Sequence, residues 1–298
     1  MATLDVLIPH YNDPEGFRRS LDTVAEQTWT GDLRAVVVDD GSGKAELSKL
    51  ERILQDAPFP VSLSVNERNL GRPRTRNRLL DRVEAPYVAW LDAGDLWLPR
   101  KLELQFEHLS RLRLAGEPAE ARWITCNYHW RWEGGRLQRR VQEVNQDPLK
   151  ALLMGKSLRG YLWTVLAPAS AFERVGRFDE DLPRLQDLDY FIRFVKAGGR
   201  LTRPPVREPL CVYEKSDIGR NAREIRACND RVFDKHRDAF DRHGRKFVRM
   251  RRFEAELHSA RFAANNRNRG LLGLYLLRAF RAHPTLFLEK TLTGRLSL

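Results

Sequence analysis

The sequence has few cysteines and no long apolar run. Its three cysteines, Cys126, Cys211 and Cys228, are far apart and form no Cys-x-x-Cys pair. This pattern argues against a zinc site or a disulfide framework and favours a reducing compartment. No apolar run approaches the roughly 20 residues that are needed to span a bilayer. The start, MATLDVLIPHYND, lacks a basic region followed by a sustained apolar stretch, so we expect no signal peptide and a soluble or peripheral protein.

Two common nucleotide-binding motifs are also missing. No G-x-G-x-x-G follows the first apolar run, which argues against a dinucleotide-binding Rossmann domain. The stretch Gly41-Ser42-Gly43-Lys44 has the wrong spacing for a phosphate-binding loop, and no Ser or Thr follows the lysine. Without such glycines, a bound diphosphate needs another source of positive charge. A divalent ion held by carboxylates is the obvious one.

The positive charge of the chain is unevenly distributed. The net charge is +12, and residues 218–298 carry 19 basic and 8 acidic residues. The other 217 residues carry 33 basic and 32 acidic residues and are nearly neutral. This asymmetry indicates an anionic partner for the last quarter of the chain, which leaves open a membrane surface, an acidic polymer or nucleic acid.

The first half of the chain alternates between strand and helix patterns. Apolar runs predict strands at residues 4–8, 35–38, 61–65 and 87–91. Helical spacing predicts helices after Asp13-Pro14-Glu15 and at 44–56, 74–83, 101–114 and 187–197, and helices from about 221 to Pro284. Hydrophobic residues make up 42% of the chain, enough for a sizeable core. Together these patterns predict an α/β domain with a mostly parallel sheet covered by helices on both faces.

Polar residues follow three of the predicted strands directly. They are Pro9-His10-Tyr11-Asn12, Asp39-Asp40-Gly41-Ser42 and Asp92-Ala93-Gly94-Asp95. Ligands of open parallel sheets bind outside the carboxyl ends of the strands, so we expect these three segments to line one crevice. Asp92 and Asp95 supply the oxygen ligands that a hard divalent cation prefers.

Six segments, in this order, resemble family 2 of the inverting glycosyltransferases. They are IPHYND at 8–13, VVVDDGS at 36–42, the segment 69–77, YVAWLDAGDLWLPRKLE at 87–103, FERVGRFDEDL at 172–182 and QDLDYFIRFVKAGG at 186–199. The resemblance covers roughly residues 3–215. It implies the GT-A nucleotide-diphospho-sugar transferase fold, a mixed and mainly parallel sheet flanked by helices. A GT-A catalytic domain would then occupy residues 1–217, and a basic, mostly helical extension residues 218–298.

The resemblance also implies roles for single residues on the donor side. The residues it assigns to the donor nucleotide are Pro9, Tyr11, Asp39, Arg76 and Asp92. Tyr11 would pack on the base, Asp39 would accept a hydrogen bond from its imide edge, and Arg76 would lie against the nucleotide. Taken alone, Tyr11 is more typical of a strand-end aromatic residue, and Asp39 with Asp40 is typical of a turn before Gly41.

Asp92 and Asp95 would bind Mg²⁺ or Mn²⁺. Gly94 stands where the family often has a principal metal-binding acid, so we expect the ion to bind weakly without nucleotide. The catalytic base would be Asp187, although Gln186 stands where the family has glutamate. A base is needed because the acceptor hydroxyl loses its proton as it attacks the anomeric carbon. The structural alternative for Asp187 is an acid that complements the helix dipole.

The neighbouring candidates are expected to be structural. Asp189 is interpreted as a structural acid, and His10 as non-catalytic because no histidine with metal-ligand spacing accompanies it. The aromatic residues between 123 and 163 are more typical of a core than of a sugar platform, although one or two could stack against an acceptor.

These observations predict transfer of a single sugar, from a UDP-sugar or a related nucleotide-diphosphate donor, to a glycan or lipid-linked saccharide in cell-surface polysaccharide assembly. The Q-x-x-R-W signature of processive synthases is absent from the sequence. We expect a cytoplasmic location, with an anionic membrane surface, such as the inner face of the plasma membrane, as an optional partner of residues 218–298. No nucleic acid partner is expected.

Two alternatives remain open from the sequence. A sugar-nucleotide nucleotidyltransferase would need a glycine-rich loop after the first strand, and residues 9–12 do not form one. A nucleic-acid-binding protein would use the basic tail and would bind in a strongly salt-dependent manner.

Overall fold

The chain forms two compact units, Met1–Lys215 and Ser216–Leu298. The computed structural model describes residues 3–132, 135–144, 147–215 and 221–296. The boundary between 217 and 218 that the sequence predicts lies outside the described residues. The division into a catalytic domain and an extension therefore stays a prediction about function.

The first unit contains two sheets and seven α-helices within its described residues. Its strands are β1 (Leu4–His10), β2 (Leu33–Asp39), β3 (Val61–Val65), β4 (Tyr87–Trp90), β5 (Leu96–Trp97), β6 (Arg122–Ile124), β7 (Tyr128–Trp132), β8 (Gln138–Arg140), β9 (Leu166–Pro168), β10 (Arg200–Thr202) and β11 (Cys211–Lys215). Its helices are α1 (Pro14–Ala25), α2 (Lys44–Gln55), α3 (Arg72–Leu80), α4 (Lys101–Leu114), α5 (Pro148–Met154), α6 (Ala169–Val175) and α7 (Gln186–Lys196).

The larger sheet has seven strands in the order β10-β6-β9-β4-β1-β2-β3. All of its neighbouring pairs are parallel except the two that involve β9. β1, β2 and β4 consist largely of fully buried apolar residues, as expected of strands that helices cover on both faces. The predicted mainly parallel sheet flanked by helices is confirmed. Since β4, β1 and β2 are adjacent, the three polar segments that follow them lie at the same edge.

A second sheet, in the order β5-β11-β7-β8, was not predicted. It pairs Trp97 of the two-residue strand β5 with Cys211, more than 100 residues away, so no local pattern indicates it. The rings of Tyr161, Trp163 and Tyr213 form one cluster, in which the centroid of Trp163 lies 5.2 Å from that of Tyr161 and 5.5 Å from that of Tyr213, and the two tyrosine centroids are 5.7 Å apart. Most of the aromatic residues between 123 and 163 that were expected to be core indeed pack in the interior.

Two boundaries predicted beside prolines in the first unit were wrong, because each proline lies inside its element. Strand β1 continues through His10 instead of stopping before Pro9, because β4 pairs only with Leu4–Leu7 and the proline removes no bond on that side. Helix α3 begins at Arg72 instead of residue 74, because Pro73 fits the first turn of a helix.

The second unit is helical throughout its described residues. Its helices are α8 (Ala222–Lys235), α9 (Arg237–Asp241), α10 (Gly244–Asn265), α11 (Arg269–Ala282) and α12 (Pro284–Leu292). Pro284 opens α12 instead of ending the helical segment, again because proline is compatible with a first helical turn. None of the helices in the described ranges is both long and apolar enough to cross a membrane.

Candidate active site

The ends of β1 and β2 are joined by a buried histidine and aspartate. The strand register places His10 opposite Asp39, and His10 Nδ1 lies 2.7 Å from Asp39 Oδ2. The backbone N–H of Ser42 donates to Asp39 Oδ1 at 2.8 Å, and its hydroxyl donates to Oδ2 at 2.5 Å. Burial alone would raise the pKa of Asp39, but these hydrogen bonds outweigh it and hold the pKa below the ordinary value. Asp39 is therefore ionised and fixed in place.

The loops after β1 and β2 are also tied together. The Asn12 backbone N–H donates to Ser42 Oγ at 2.8 Å, and the Gly43 N–H donates to Asn12 Oδ1 at 2.9 Å. Gly41 has a φ of +75°, and a Cβ there would meet the backbone of Arg68 at 2.3 Å, so this turn needs glycine.

Tyr11 lies at this joined edge with 47% of its surface exposed. An exposed ring on a fixed loop is suited to stacking. Pro9 is half-buried, opposite Val38 in the strand pairing. The roles of both residues in donor binding stay predictions.

Asp40 has a structural task that sequence reasoning did not assign. Its Oδ1 accepts from the Leu70 backbone N–H and from Asn66 Nδ2, both at 2.8 Å, and its Oδ2 accepts from the Gly71 N–H at 3.0 Å. These bonds fix the segment that leads into α3. The second aspartate of the DDGS stretch thereby positions the helix that carries Arg76.

Asn77 joins two of the segments that resemble the family. Its Oδ1 accepts from the Phe178 backbone N–H at 2.7 Å, and its Nδ2 donates to Glu180 Oε1 at 3.0 Å. Arg74 donates to the other oxygen of Glu180 at 2.9 Å. Segments about 100 residues apart in the sequence are therefore held together beside Arg76.

Arg76 is fully buried and bridges two candidate site acids. Its Nη2 donates to both oxygens of Asp92, at 2.9 and 3.0 Å, and its Nη1 pairs with Asp187. Burial alone would lower the pKa of Arg76, but the charges of Asp187 and Asp92 raise it above the ordinary value. Since none of its surface is exposed, we expect Arg76 to act mainly by holding the two acids.

Asp187 lies in the first turn of α7, where an acid also complements the helix dipole. Burial and the charge of Asp92 raise the pKa of Asp187 above its ordinary value, although Arg76 opposes them. The backbone N–H of Leu162 lies 3.4 Å from Asp187 Oδ2. A carboxylate with a raised pKa accepts a proton more readily, which suits a general base.

Asp189, two residues further along α7, is in a different environment. It is fully buried, and its Oδ2 accepts from Arg193 Nε at 2.9 Å within the same helix. This geometry fits the structural role expected of Asp189.

The Asp92–Asp95 segment leaves β4 in a tight turn. Gly94 has a φ of +95°, and its N–H donates to Ser20 Oγ at 2.9 Å. Arg76 helps to lower the pKa of Asp92 against the effect of burial, whereas burial and the charge of Asp92 raise the pKa of Asp95 well above the ordinary value. The surroundings therefore favour the ionised form of Asp92 and disfavour a negative charge on Asp95.

The fit of these residues to a metal ion can be judged from their donor atoms. No group of three His, Cys, Asp or Glu side chains within the described ranges is placed to hold an ion. Asp92 and Asp95 remain as oxygen donors, and a Cβ on Gly94 would meet only Asp13 Oδ2, at 3.7 Å. Two carboxylates suffice for an ion such as Mg²⁺, which keeps several waters and takes one or two carboxylates with substrate phosphates.

Comparison with known proteins shows the family of the chain. The model for glycosyl transferase family 2 matches residues 5–161, more than half of the chain. The chain belongs to glycosyl transferase family 2. All the predicted donor-side and metal residues lie within the matched range, whereas Asp187 lies beyond it.

Two family relatives illustrate the similarity. The uncharacterized glycosyltransferase MJ1057 of Methanocaldococcus jannaschii is 25% identical over 204 residues, which are 64% of this chain and 64% of that protein. The amylovoran biosynthesis glycosyltransferase AmsB of Erwinia amylovora is 29% identical over 224 residues, 71% of this chain and 69% of that protein. The match to MJ1057 thus spans less than two thirds of that relative.

Solved structures share the fold of this family 2 chain. S. aureus TarS 1–349 in complex with UDP-GlcNAc has a TM-score of 0.59 and 14% identity, and the match covers 98% of this chain and 92% of TarS 1–349. The mannosyltransferase PcManGT of Pyrobaculum calidifontis, in complex with GDP-Man and Mn²⁺, has a TM-score of 0.55 and 18% identity over 99% of this chain and 87% of its own. The predicted GT-A fold is confirmed.

Proposed function

We propose that this protein is an inverting glycosyltransferase that moves a single sugar from a nucleotide-diphosphate donor to a saccharide acceptor. The observation that carries this proposal is the buried Arg76, which links donor-side Asp92 to the candidate base Asp187. One guanidinium thereby fixes the spacing between the acid beside the leaving group and the acid beside the acceptor. In-line displacement requires such fixed geometry between attacking and leaving groups.

The nucleotide would bind at the joined ends of β1 and β2. The exposed ring of Tyr11 offers a stacking surface for the base. Asp39, held ionised by its hydrogen bonds, is an acceptor for an imide N–H. Uracil and thymine present an imide edge and guanine does not, and the UDP-GlcNAc complex of TarS supports uracil, so we propose a UDP-sugar.

Asp187 would remove the proton from the acceptor hydroxyl. As this oxygen attacks the anomeric carbon, the bond from that carbon to the diphosphate oxygen breaks. Inversion follows because the attack comes from the face opposite the leaving group. Arg76 keeps one oxygen of Asp187 engaged, so the carboxylate cannot rotate away from the acceptor.

Asp92, with Asp95 and the donor phosphates, would hold Mg²⁺ or Mn²⁺. Such an ion neutralises the negative charge that develops on the leaving diphosphate. The Mn²⁺ and GDP-Man complex of PcManGT supports the use of a divalent ion by this fold. The UDP-GlcNAc complex of TarS supports a UDP-sugar as the donor.

The acceptor is proposed to be a glycan or a lipid-linked saccharide in cell-surface polysaccharide assembly. The description of AmsB as an amylovoran biosynthesis enzyme supports this class. A lipid-linked acceptor would place the protein in the cytoplasm at the inner face of the plasma membrane, where the basic residues of 218–298 have an anionic partner.

A donor panel tests the proposal. Purified protein is incubated with UDP-, GDP- and dTDP-sugars and either Mg²⁺ or Mn²⁺, and release of the nucleoside diphosphate is measured. We expect release from UDP-sugars and less from the others. Pyrophosphate formed from a nucleoside triphosphate and a sugar phosphate would indicate a nucleotidyltransferase instead. Absence of release from every donor, together with salt-dependent DNA binding in a gel shift, would refute the proposal.

A further inference from the structure

The second unit exposes an unusual concentration of apolar side chains. Within the described residues ten large hydrophobic side chains are exposed, and five of them lie on α11 and α12. These five are Leu274, Leu277, Phe280, Leu288 and Leu292, and we call them the apolar face. The other five exposed apolar side chains all lie in the first unit. The part of the second unit before residue 274 therefore contributes none of the ten, although it contains most of that unit's basic residues. The apolar face is therefore a local feature of two helices.

The apolar face is not needed to attach α11 to its own unit. The opposite side of α11 is already buried, with Tyr275 packed among Ala222, Ala260 and Ala263. Ala279 packs against Phe253 and Leu257 of α10 in the same way. Leu277, by contrast, leaves 46% of its surface exposed. Large contiguous apolar patches on a protein surface commonly mark binding sites, so we expect the apolar face to bind a partner.

The charges beside the apolar face are all positive on α11. The sequence of α11, RGLLGLYLLRAFRA, contains three arginines and no acidic residue. Arg269, Arg278 and Arg281 are all exposed. Leu277 and Arg278 lie three and four residues after Leu274, and Arg281 lies four and three residues after them, so these side chains form one continuous stripe. Two leucines followed by two arginines therefore share one outward surface of α11.

The face continues from α11 onto α12. The ring of Phe280 meets the ring of Phe287 edge-on at a centroid distance of 5.7 Å, which connects the two helices. Leu288 and Leu292 are four residues apart and lie on one side of α12. The two helices thus offer one apolar surface whose basic residues lie on α11, whereas α12 exposes Glu289 and pairs Lys290 with Glu254.

We infer that the apolar face binds an anionic lipid bilayer, with its leucines and Phe280 in the boundary between headgroups and acyl chains. Arg269, Arg278 and Arg281 would contact the lipid phosphates. Interfacial helices combine these two features, and each basic residue near an anionic membrane adds roughly 1 kcal/mol. A second copy fits less well, because a symmetric dimer through α11 would bring arginines against an acid-free helix.

Binding to the bilayer does not depend on the proposed function. Only its purpose does, which is to bring the enzyme to a lipid-linked acceptor. The two can fail separately. Vesicle binding requires no donor, and nucleotide release from a UDP-sugar requires no vesicle.

Flotation of the full chain with vesicles tests the inference. The vesicles contain phosphatidylcholine alone or phosphatidylcholine with phosphatidylglycerol in a three-to-one ratio. We expect binding to the anionic vesicles only. Leu274→Glu with Leu277→Glu should weaken it by at least about tenfold, because two charged groups would enter the apolar boundary. Arg278→Gln with Arg281→Gln, which leaves the apolar side chains intact, should weaken it by roughly tenfold.

Arg245→Gln with Lys246→Gln is the matched control. It removes the same charge from exposed positions of α10, and none of the ten exposed large hydrophobic side chains among the described residues lies on that helix. We expect this variant to retain more than half of the binding. An equal loss in the control would show a diffuse charge effect and would overturn the inference. So would failure of the wild-type chain to bind, or a dimer in solution that the leucine substitutions convert to monomer.

Discussion

Replacing Asp187 with asparagine removes the proposed base while it preserves the size of the side chain. The amide oxygen of the new side chain can still accept from Arg76, so the link to Asp92 is retained. We therefore expect donor binding and folding to change little. The loss should fall on the step in which the acceptor hydroxyl gives up its proton.

The magnitude follows from the role of a general base. Such a group contributes about 100- to 10,000-fold in rate, or roughly 3–5 kcal/mol of activation free energy. We expect kcat of Asp187→Asn to fall within that range and the donor KM to stay within about threefold. Wild-type kcat should also rise with pH through the raised pKa of Asp187, because the base must be ionised. The residual rate of the variant should lack this rise.

Asp189→Asn provides the matched control. It changes a buried aspartate in the same turn of α7, which pairs with Arg193 instead of Arg76. We expect it to lower the free energy of unfolding but to leave kcat within about threefold. The assay follows formation of the glycosylated acceptor with a UDP-sugar, over a range of pH values. Two results would refute Asp187 as the general base. One is a kcat of Asp187→Asn above a tenth of the wild-type value, and the other is an equal loss of kcat in Asp189→Asn.

Four other perturbations have defined outcomes. Arg76→Met should lower the free energy of unfolding, measured in urea, by about 3 kcal/mol because it leaves two acids unpaired in a partly exposed setting. Tyr11→Ala should weaken UDP binding in calorimetry by about tenfold, through lost stacking, without changing Tm. Asp39→Asn should lower Tm at pH 7. The Tm difference between wild type and variant should become smaller as the pH falls through the depressed pKa of Asp39, because the wild-type carboxylate then also loses its charge. Chelation of divalent ions should reduce the rate of sugar transfer to less than about a tenth of the untreated rate, and added Mg²⁺ or Mn²⁺ should restore it.

The parallel core of the fold was predictable because its strands are nearly continuous apolar runs. β2 has this property, since Ala35, Val36, Val37 and Val38 are fully buried. The small second sheet was not predictable, because β5 has only two residues and its partner lies more than 100 positions away. Local patterns contain no information on such a pairing. The prolines at positions 9 and 284 were interpreted as stops, although each fits its element.

The site was predictable as a set of residues but not as a network. The family pattern supplied Asp92, Arg76 and Asp187, yet nothing in the sequence indicates that one buried guanidinium joins them. His10 was expected to be non-catalytic, and it contacts the predicted donor residue Asp39 instead. The contact between His10 and Asp39 could have been predicted from the sequence, because the two residues end adjacent parallel strands and are therefore paired in register.

The charges around Arg76 explain why the ion and the donor should bind together. Asp92 and Asp187 contribute two negative charges against the single positive charge of Arg76, and the raised pKa of Asp95 shows that this setting disfavours further negative charge. Arg72 also acts on these acids, but it is exposed and screened by solvent. A diphosphate beside Asp92 would therefore meet net negative charge and be repelled. A divalent ion makes the net charge beside Asp92 positive, and the donor phosphates supply the oxygen ligands that Gly94 cannot. The ion and the donor should therefore each bind weakly without the other.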